Sequence, residues 1–338
     1  MSRTSLFPSS SSPSTSCSRP TPTGSTRRGL LYVTGAGVLW GTTGVAVQLV
    51  RESTTLTPTG IGFYRLAIGA VVLVALVAHR LGPVLAALRS HPVALVLVGV
   101  GLGGYQALYF VAVAAGGVGV ATVVSLGLAP VLIFGWESLR ARRLPGRTML
   151  GALTAGIIGL VLITVSVGQP GATAPRPLLG LLAAFGSGVG YAASTVLSRH
   201  AAQRVAPMTL TTVSAVVGAL ALAPIALAEG IGVPARLAPV GLLVHLGVVT
   251  TAVAYALFYA GLRSITGSAA ALSTLAEPLT AVLLAGWLVG ESLPAPVVVG
   301  GVLLLGAVSV VHLTPGKPTL PESRPSRKGD PGKVTPER

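Results

Sequence analysis

One acid in this chain stands where an acid is costly. Glu277, in the run Ser273-Thr274-Leu275-Ala276-Glu277-Pro278, falls about halfway along an apolar segment long enough to cross a membrane, and no other carboxylate in the sequence lies at that depth. A charge there is tolerated only against protein or water, so it marks a candidate pathway residue. Two kinds of chemistry are open to it, proton exchange and the binding of a substrate amine. The alternative is a structural role, in which it bonds backbone freed by Pro278, a residue that cannot donate an amide. Arg65 is the candidate counter-charge. It sits a few residues inside the end of the second apolar segment, where its long stem could equally snorkel to the headgroups. Its depth differs from that of Glu277 by about 10 Å at 1.5 Å per residue, so direct pairing would need tilt or unwinding.

Uncharged candidates surround this pair. Trp40 and Tyr191 occupy equivalent places in the first and sixth segments, and two aromatic faces towards a common centre would suit an apolar or cationic group; packing against a neighbour is the bland alternative. Tyr105, Gln106 and Tyr109 lie in the third segment, and Tyr255 and Tyr259 in the eighth. Gln106 and Tyr255 join Trp40 and Tyr191 as candidate lining residues. A mid-membrane amide wants a partner, which an interhelical bond could also supply. Tyr259 reads as interfacial, where tyrosine is enriched. His245 reads as a hydrogen-bonded residue rather than a proton relay. Glu137 and Glu291 fall at segment ends, as surface or gate residues. Gly37 with Gly41, and Gly186 with Gly190, are small-xxx-small pairs that let helices approach closely.

The elements that must hold these residues follow from composition. The chain has 338 residues, 51% hydrophobic and only 9% charged, with 44 glycines. Soluble domains run near about 25% charged, so this chain cannot wet a water-facing surface. It reads as an integral membrane protein. Ten apolar segments of about 20 residues fit helices crossing a core about 30 Å thick. They cover 30–50, 60–79, 93–114, 117–137, 147–167, 178–198, 208–228, 238–260, 267–289 and 295–313. Continuous apolarity and this length favour helices over barrel strands.

Charge orients the bundle. With the N-terminus inside, all but Arg51, Arg65, Arg176 and Arg236 of the 23 Lys and Arg fall in inner loops and tails, the positive-inside pattern. Residues 1–28 and 314–338, rich in Ser, Thr, Pro and basic side chains, read as disordered cytoplasmic tails. The N-terminal stretch is too polar for a signal peptide.

The two halves also superpose. A shift of 151 aligns Gly29, Leu30, Leu31, Gly35, Gly37, Val38 and Val45 with Gly180, Leu181, Leu182, Gly186, Gly188, Val189 and Val196. A shift of 148 aligns Ala112, Gly119, Ala121, Ser125 and Pro130 with Ala260, Gly267, Ala269, Ser273 and Pro278. The domains are thus a first five-helix repeat over 29–167, an outer linker over 168–177 and a second repeat over 178–313. Five spans is an odd number, so the second copy sits upside down relative to the first, as in alternating-access transporters. The expected fold is all-α, with ten transmembrane helices as two inverted five-helix repeats.

These features together, with Trp40-Gly41-Thr42-Thr43 in the first span, Ser273 to Pro278 in the ninth and Gly290-Glu291 after it, resemble the EamA-type branch of the drug/metabolite transporter superfamily over about residues 29–313. The resemblance implies a secondary transporter of small organic metabolites, often an exporter of amino acids or other solutes, with a central cavity between the halves. One departure is that Arg142 and Arg143 stand where the first repeat would carry the family's Gly-Glu.

Other classes are disfavoured. The single cysteine, Cys17, supports neither disulfides nor a thiolate metal site, and no cofactor or metal is expected. Gly99, Gly101 and Gly104 satisfy G-x-G-x-x-G, but inside a membrane helix with no preceding strand. No Walker A sequence, H-E-x-x-H or G-x-S-x-G occurs. The net charge of +15 belongs to loops and tails, so nucleic acid is not an expected partner. The expected partners are a small-molecule substrate, membrane lipids and, as candidate coupling ion, the proton, with the chain a monomer or weak homodimer in the cell membrane. A channel, or a membrane-embedded lipid-modifying enzyme, is the alternative reading; no enzymatic activity is expected.

Overall fold

Pro58, Pro92, Pro177 and Pro207 each stand in the first turn of a helix, where a missing amide costs nothing and the fixed φ already suits the helix. In the computed structural model these starts delimit long helices. The structure describes residues 24–142, 146–167, 176–232, 236–284, 286–287 and 294–313. The helices are α1 (Gly24–Ser53), α2 (Pro58–Val77), α3 (Leu81–Ser90), α4 (Pro92–Gly116), α5 (Val118–Ala141), α6 (Arg147–Val167), α7 (Pro177–Ala202), α8 (Pro207–Glu229), α9 (Leu237–Gly247), α10 (Ala254–Gly261), α11 (Gly267–Ser273), α12 (Ala276–Leu284) and α13 (Ala295–Leu313). No strand occurs among the described residues. Ten spans are long and apolar enough to cross a membrane. The eighth is α9 and α10 joined by a π-helical turn, Val248–Val253, and the ninth is α11 and α12. Large apolar side chains such as Val71, Leu139, Leu178, Leu220 and Val302 point outward, as expected where the solvent is lipid.

Three boundaries differ from the sequence reading. Residues 24–28, placed in the N-terminal tail, are the first turn and a half of α1. Residues 78–79, read as the end of the second segment, and 80–90, read as its connection to the third, form a 3-10 turn and α3, which buries Val84 and exposes Leu81, Leu85 and Arg89. The ninth span is broken rather than continuous. The tails 1–23 and 314–338, linker residues 168–175, Arg143 and the Gly290-Glu291 pair lie outside the described residues.

Spans alternate in direction, so the face where α1 begins, here the near face, also carries the end of α5, the end of α7 and the start of α11. The two halves make equivalent contacts. The first span packs on the eighth and ninth as the sixth packs on the third and fourth, while the second pairs with the seventh and the fifth with the tenth. Individual residues repeat the pattern: Gly29 meets Ser264 as Gly180 meets Gly116, Gly35 meets Leu257 as Gly186 meets Leu108, and Gly37 meets Ala276 as Gly188 meets Leu128. Exchange of this kind between antiparallel copies is a pseudo-two-fold relation, and the fold is two inverted five-helix repeats. Glycine is needed at several of these contacts because in lipid close backbone approach supplies much of the attraction between helices.

Candidate functional site

The break in the ninth span decides where Glu277 sits. α11 ends at Ser273, two turn residues follow, and α12 starts at Ala276, which places Glu277 and Pro278 in its first turn. A proline there removes an amide that has no intrahelical acceptor. Glu277 is therefore a carboxylate at the start of a half-helix, where the helix dipole favours negative charge. Gly37 and Gly41 make the seat for this segment. A Cβ on Gly41 would lie 2.5 Å from Thr280 Cβ and 2.7 Å from the Glu277 carbonyl oxygen, and one on Gly37 would lie 3.3 Å from Ala276 Cβ. The Glu277 side chain is half-buried, and its carboxylate takes no hydrogen bond among the described residues. The structural alternative, a carboxylate bonded to freed backbone, is not what the structure shows; only the Glu277 amide is engaged, donating to the Thr274 carbonyl at 2.9 Å.

A second irregularity, in the eighth span, supplies acceptors. The π turn buries Thr250 and Thr251, whose hydroxyls donate back to the Leu246 carbonyl at 2.7 and 3.0 Å. π turns interrupt the regular ladder and frequently mark functional sites. The Thr250 carbonyl accepts from the Trp40 indole N–H at 2.9 Å and from Arg65 Nη2 at 3.3 Å, and Arg65 Nε donates to Thr251 Oγ1 at 3.1 Å. Arg65 is thus bonded inward to the eighth span, and the snorkelling alternative is excluded for this conformation. Its charge acts on Glu277 through space, yet the two form no ion pair. One charge comes from each repeat.

Aromatic residues fill the centre with near two-fold symmetry. Tyr105 and Tyr255 join hydroxyl to hydroxyl at 2.8 Å, and they are 150 residues apart, close to the repeat offset. Trp40 lies against Tyr255 at 4.9 Å between ring centroids, and its counterpart Tyr191 lies against Tyr105 at 5.2 Å. The hydroxyl pair therefore marks the pseudo-axis, with an aromatic pair on either side. Tyr191 also reaches Thr274 at the break in the ninth span. The Glu277 charge is felt at the hydroxyls of Tyr109, Tyr191 and Tyr255, so the carboxylate lies within electrostatic reach of this cluster. The charges break the symmetry: under the same offset Glu277 falls on Ala129, and Arg65 falls in the apolar stretch around Val213 to Val216.

Of the candidates, Trp40, Arg65, Tyr191, Tyr255 and Glu277 come together. Gln106 is buried in α4 with neither its amide oxygen nor its nitrogen partnered among the described residues, so the interhelical bond that would make it structural is absent. Gly186 and Gly190 pack against α4, at Leu108 and Tyr105. His245 bonds Thr42 at 2.9 Å while Thr42 donates to the Leu39 carbonyl, which leaves the ring nitrogen as donor. Tyr259 is fully buried two residues before the end of α10, with its hydroxyl beside Ser214 and Ser198. Sequence reading missed Thr250, Thr251 and Thr274. The Thr250-Thr251 pair was visible as polar residues mid-span, but nothing in composition said that backbone there would be opened.

An arrangement of this kind can bind a solute. It offers a carboxylate without a hydrogen bond among the described residues, a guanidinium held by neutral oxygens and aromatic faces, contributed by both repeats. The comparisons with known proteins agree with that character. Residues 27–165 and 178–313 each match the EamA-like transporter family, so the family's unit occurs twice and coincides with the two repeats. The chain is 29% identical over 296 residues to the uncharacterized transporter YwfM of Bacillus subtilis, covering 87% of this chain and 96% of that one. It is also 29% identical over 296 residues to the uncharacterized inner membrane transporter YicL of Salmonella typhimurium, with 86% and 97% covered. A solved crystal structure superposes with a TM-score of 0.71 at 23% identity, covering 84% of this chain and 97% of the other, which supports the fold. With its repeats, its ten spans and both family matches in register, the chain belongs to the EamA-like transporter family.

Proposed function

We propose that this transporter exports small organic solutes across the cell membrane by alternating access, with proton exchange at Glu277 as the coupling step. The observation that carries the reading is the Glu277 carboxylate, without a hydrogen bond among the described residues, within electrostatic reach of the Tyr109, Tyr191 and Tyr255 hydroxyls and not ion-paired with Arg65 on the opposite repeat. A carboxylate left free of protein partners is available to a proton or to a cationic group of the solute, and the two can then compete for one site. Aromatic faces suit cationic or planar groups, so the solute class is small organic molecules bearing a cationic or aromatic moiety. Gln106 and Arg65 supply polar contacts that fix orientation. The basic residues crowd the near face, which supports cytoplasmic termini. The site lies within one chain, so a monomer suffices.

Uptake of a labelled solute panel into proteoliposomes, with and without a pH gradient, tests this. Saturable, gradient-dependent flux with counterflow is expected for the wild type, and Glu277→Gln removes the dependence on the gradient. Gradient-driven flux that survives Glu277→Gln rejects the coupling role; flux without saturation or counterflow rejects a carrier in favour of a pore.

A further inference from the structure

Glu137, read from the sequence as a residue near water, bonds across the molecule. Its carboxylate accepts from the Gly267 amide at 2.7 Å and from the Ser268 amide at 3.2 Å, the first two amides of α11. The third, Ala269, is satisfied by Thr266 Oγ1 at 3.1 Å. The N-terminus of a helix in the second repeat is therefore capped by an acid from the first. Gly267 makes room for it: a Cβ there would lie 3.0 Å from Glu137 Oε1 and 3.1 Å from Ile133 Cγ2.

Two further observations give this contact its meaning. α5 runs against α11 at the near face but hardly touches α12 among the described residues, so spans four and nine meet at one face and diverge towards the other. Other hydrogen bonds on the 262–268 turn come from Arg199, to the Ile265 carbonyl, and Gln203, to the carbonyls of Leu262 and Arg263. Both lie at the end of α7, which packs on α4 and α5, so they reach the turn from the same side of the bundle as Glu137; among these three side chains Glu137 is the one that bonds the start of α11.

We infer that Glu137 is the near-face latch of the transport cycle: its bond to the start of α11 holds the repeats together on that face, and it must break for the central site to open there. This rests on the alternating-access reading. Two charge-assisted hydrogen bonds at a helix N-terminus are strong enough to bias such an equilibrium. Losing the charge and one of the bonds should move the ratio of closed to open near face at least about tenfold.

The test uses spin labels on cysteines replacing Arg140 and Arg263, which flank the contact and are exposed, in a chain also carrying Cys17→Ser and reconstituted in liposomes. Double electron–electron resonance should give one dominant short distance for the parent, in which the Glu137 contact is intact. Glu137→Gln should shift the population at least about tenfold towards a longer distance, and Gly267→Ala, which crowds the same contact without removing charge, should shift it in the same direction by less. Distance distributions that superpose on the parent in both variants overturn the latch. Solute flux is read in the same vesicles: normal flux with unchanged distances removes the latch and leaves the transport reading, whereas shifted distances with no flux of any solute in the parent support the latch and remove the transport reading.

Discussion

Gly41→Ala tests the seat of the Glu277 half-helix. The added methyl would lie 2.5 Å from Thr280 Cβ and 2.7 Å from the Glu277 carbonyl, against an ordinary contact of about 3.5–4.0 Å, so α1 and α12 must part by about 1 Å. Overpacking of this kind costs about 1–3 kcal/mol, offset by up to about 1 kcal/mol of helix propensity gained on replacing glycine. The net expectation is a loss of about 1–2 kcal/mol and a melting temperature lower by a few degrees. Two neighbours on the same helix calibrate it. Gly44 has nothing within 4 Å of a built Cβ, and Gly37 has Ala276 Cβ and the Thr274 backbone at 3.3 Å. Melting in nanodiscs, followed by intrinsic fluorescence, should therefore rank Gly44→Ala at or above wild type, Gly37→Ala slightly below it and Gly41→Ala lowest. Gly41→Ala melting together with Gly44→Ala would refute the packing argument.

The remaining predictions concern the polar centre. Tyr105→Phe and Tyr255→Phe each break the same hydroxyl pair, so their stability losses should not add; a double-mutant cycle in chemical denaturant should return a coupling of about 1 kcal/mol, and strict additivity would deny the bond. Arg65→Lys replaces a planar fork that reaches the Thr250 carbonyl and Thr251 hydroxyl together with a single ammonium, so solute flux should fall. Thr251→Val should lower flux in the same direction. An Arg65→Lys protein with unaltered rate and KM would show that the paired contact does not position the guanidinium.

The spans and the duplication were legible in the sequence because lipid imposes long apolar runs and because the glycines that match under the 151-residue shift are the ones at which helices touch. Gly29, Gly35 and Gly37 carry the signal and also make the contacts. Glu277, Arg65, Trp40 and Tyr191 stood out for the same reason, as polar or aromatic groups at costly depths. The backbone irregularities were not legible. Pro278 suggested a disturbance, yet Pro130 at the equivalent place in α5 leaves that helix unbroken, so proline alone does not fix where a helix stops. The π turn has no composition signature, and without it the acceptor for Trp40 and Arg65 could not be named. The burial of Tyr259 was not legible either, because enrichment of tyrosine at interfaces says nothing about hydroxyl neighbours such as Ser198 and Ser214 on other helices. Glu137 looked unremarkable because its partners are backbone amides 130 residues away.

The most direct measurement is the reach of the central site from each side of the membrane. Thr274→Cys, in the Cys17→Ser background, places a thiol at the break in the ninth span beside Tyr191. Reconstituted in liposomes, it should react with a membrane-impermeant maleimide supplied at either face alone, and a crosslink between α5 and the 262–268 turn should abolish reaction from the near face while sparing the far one. A thiol that continues to react from the near face with that crosslink in place would contradict the account.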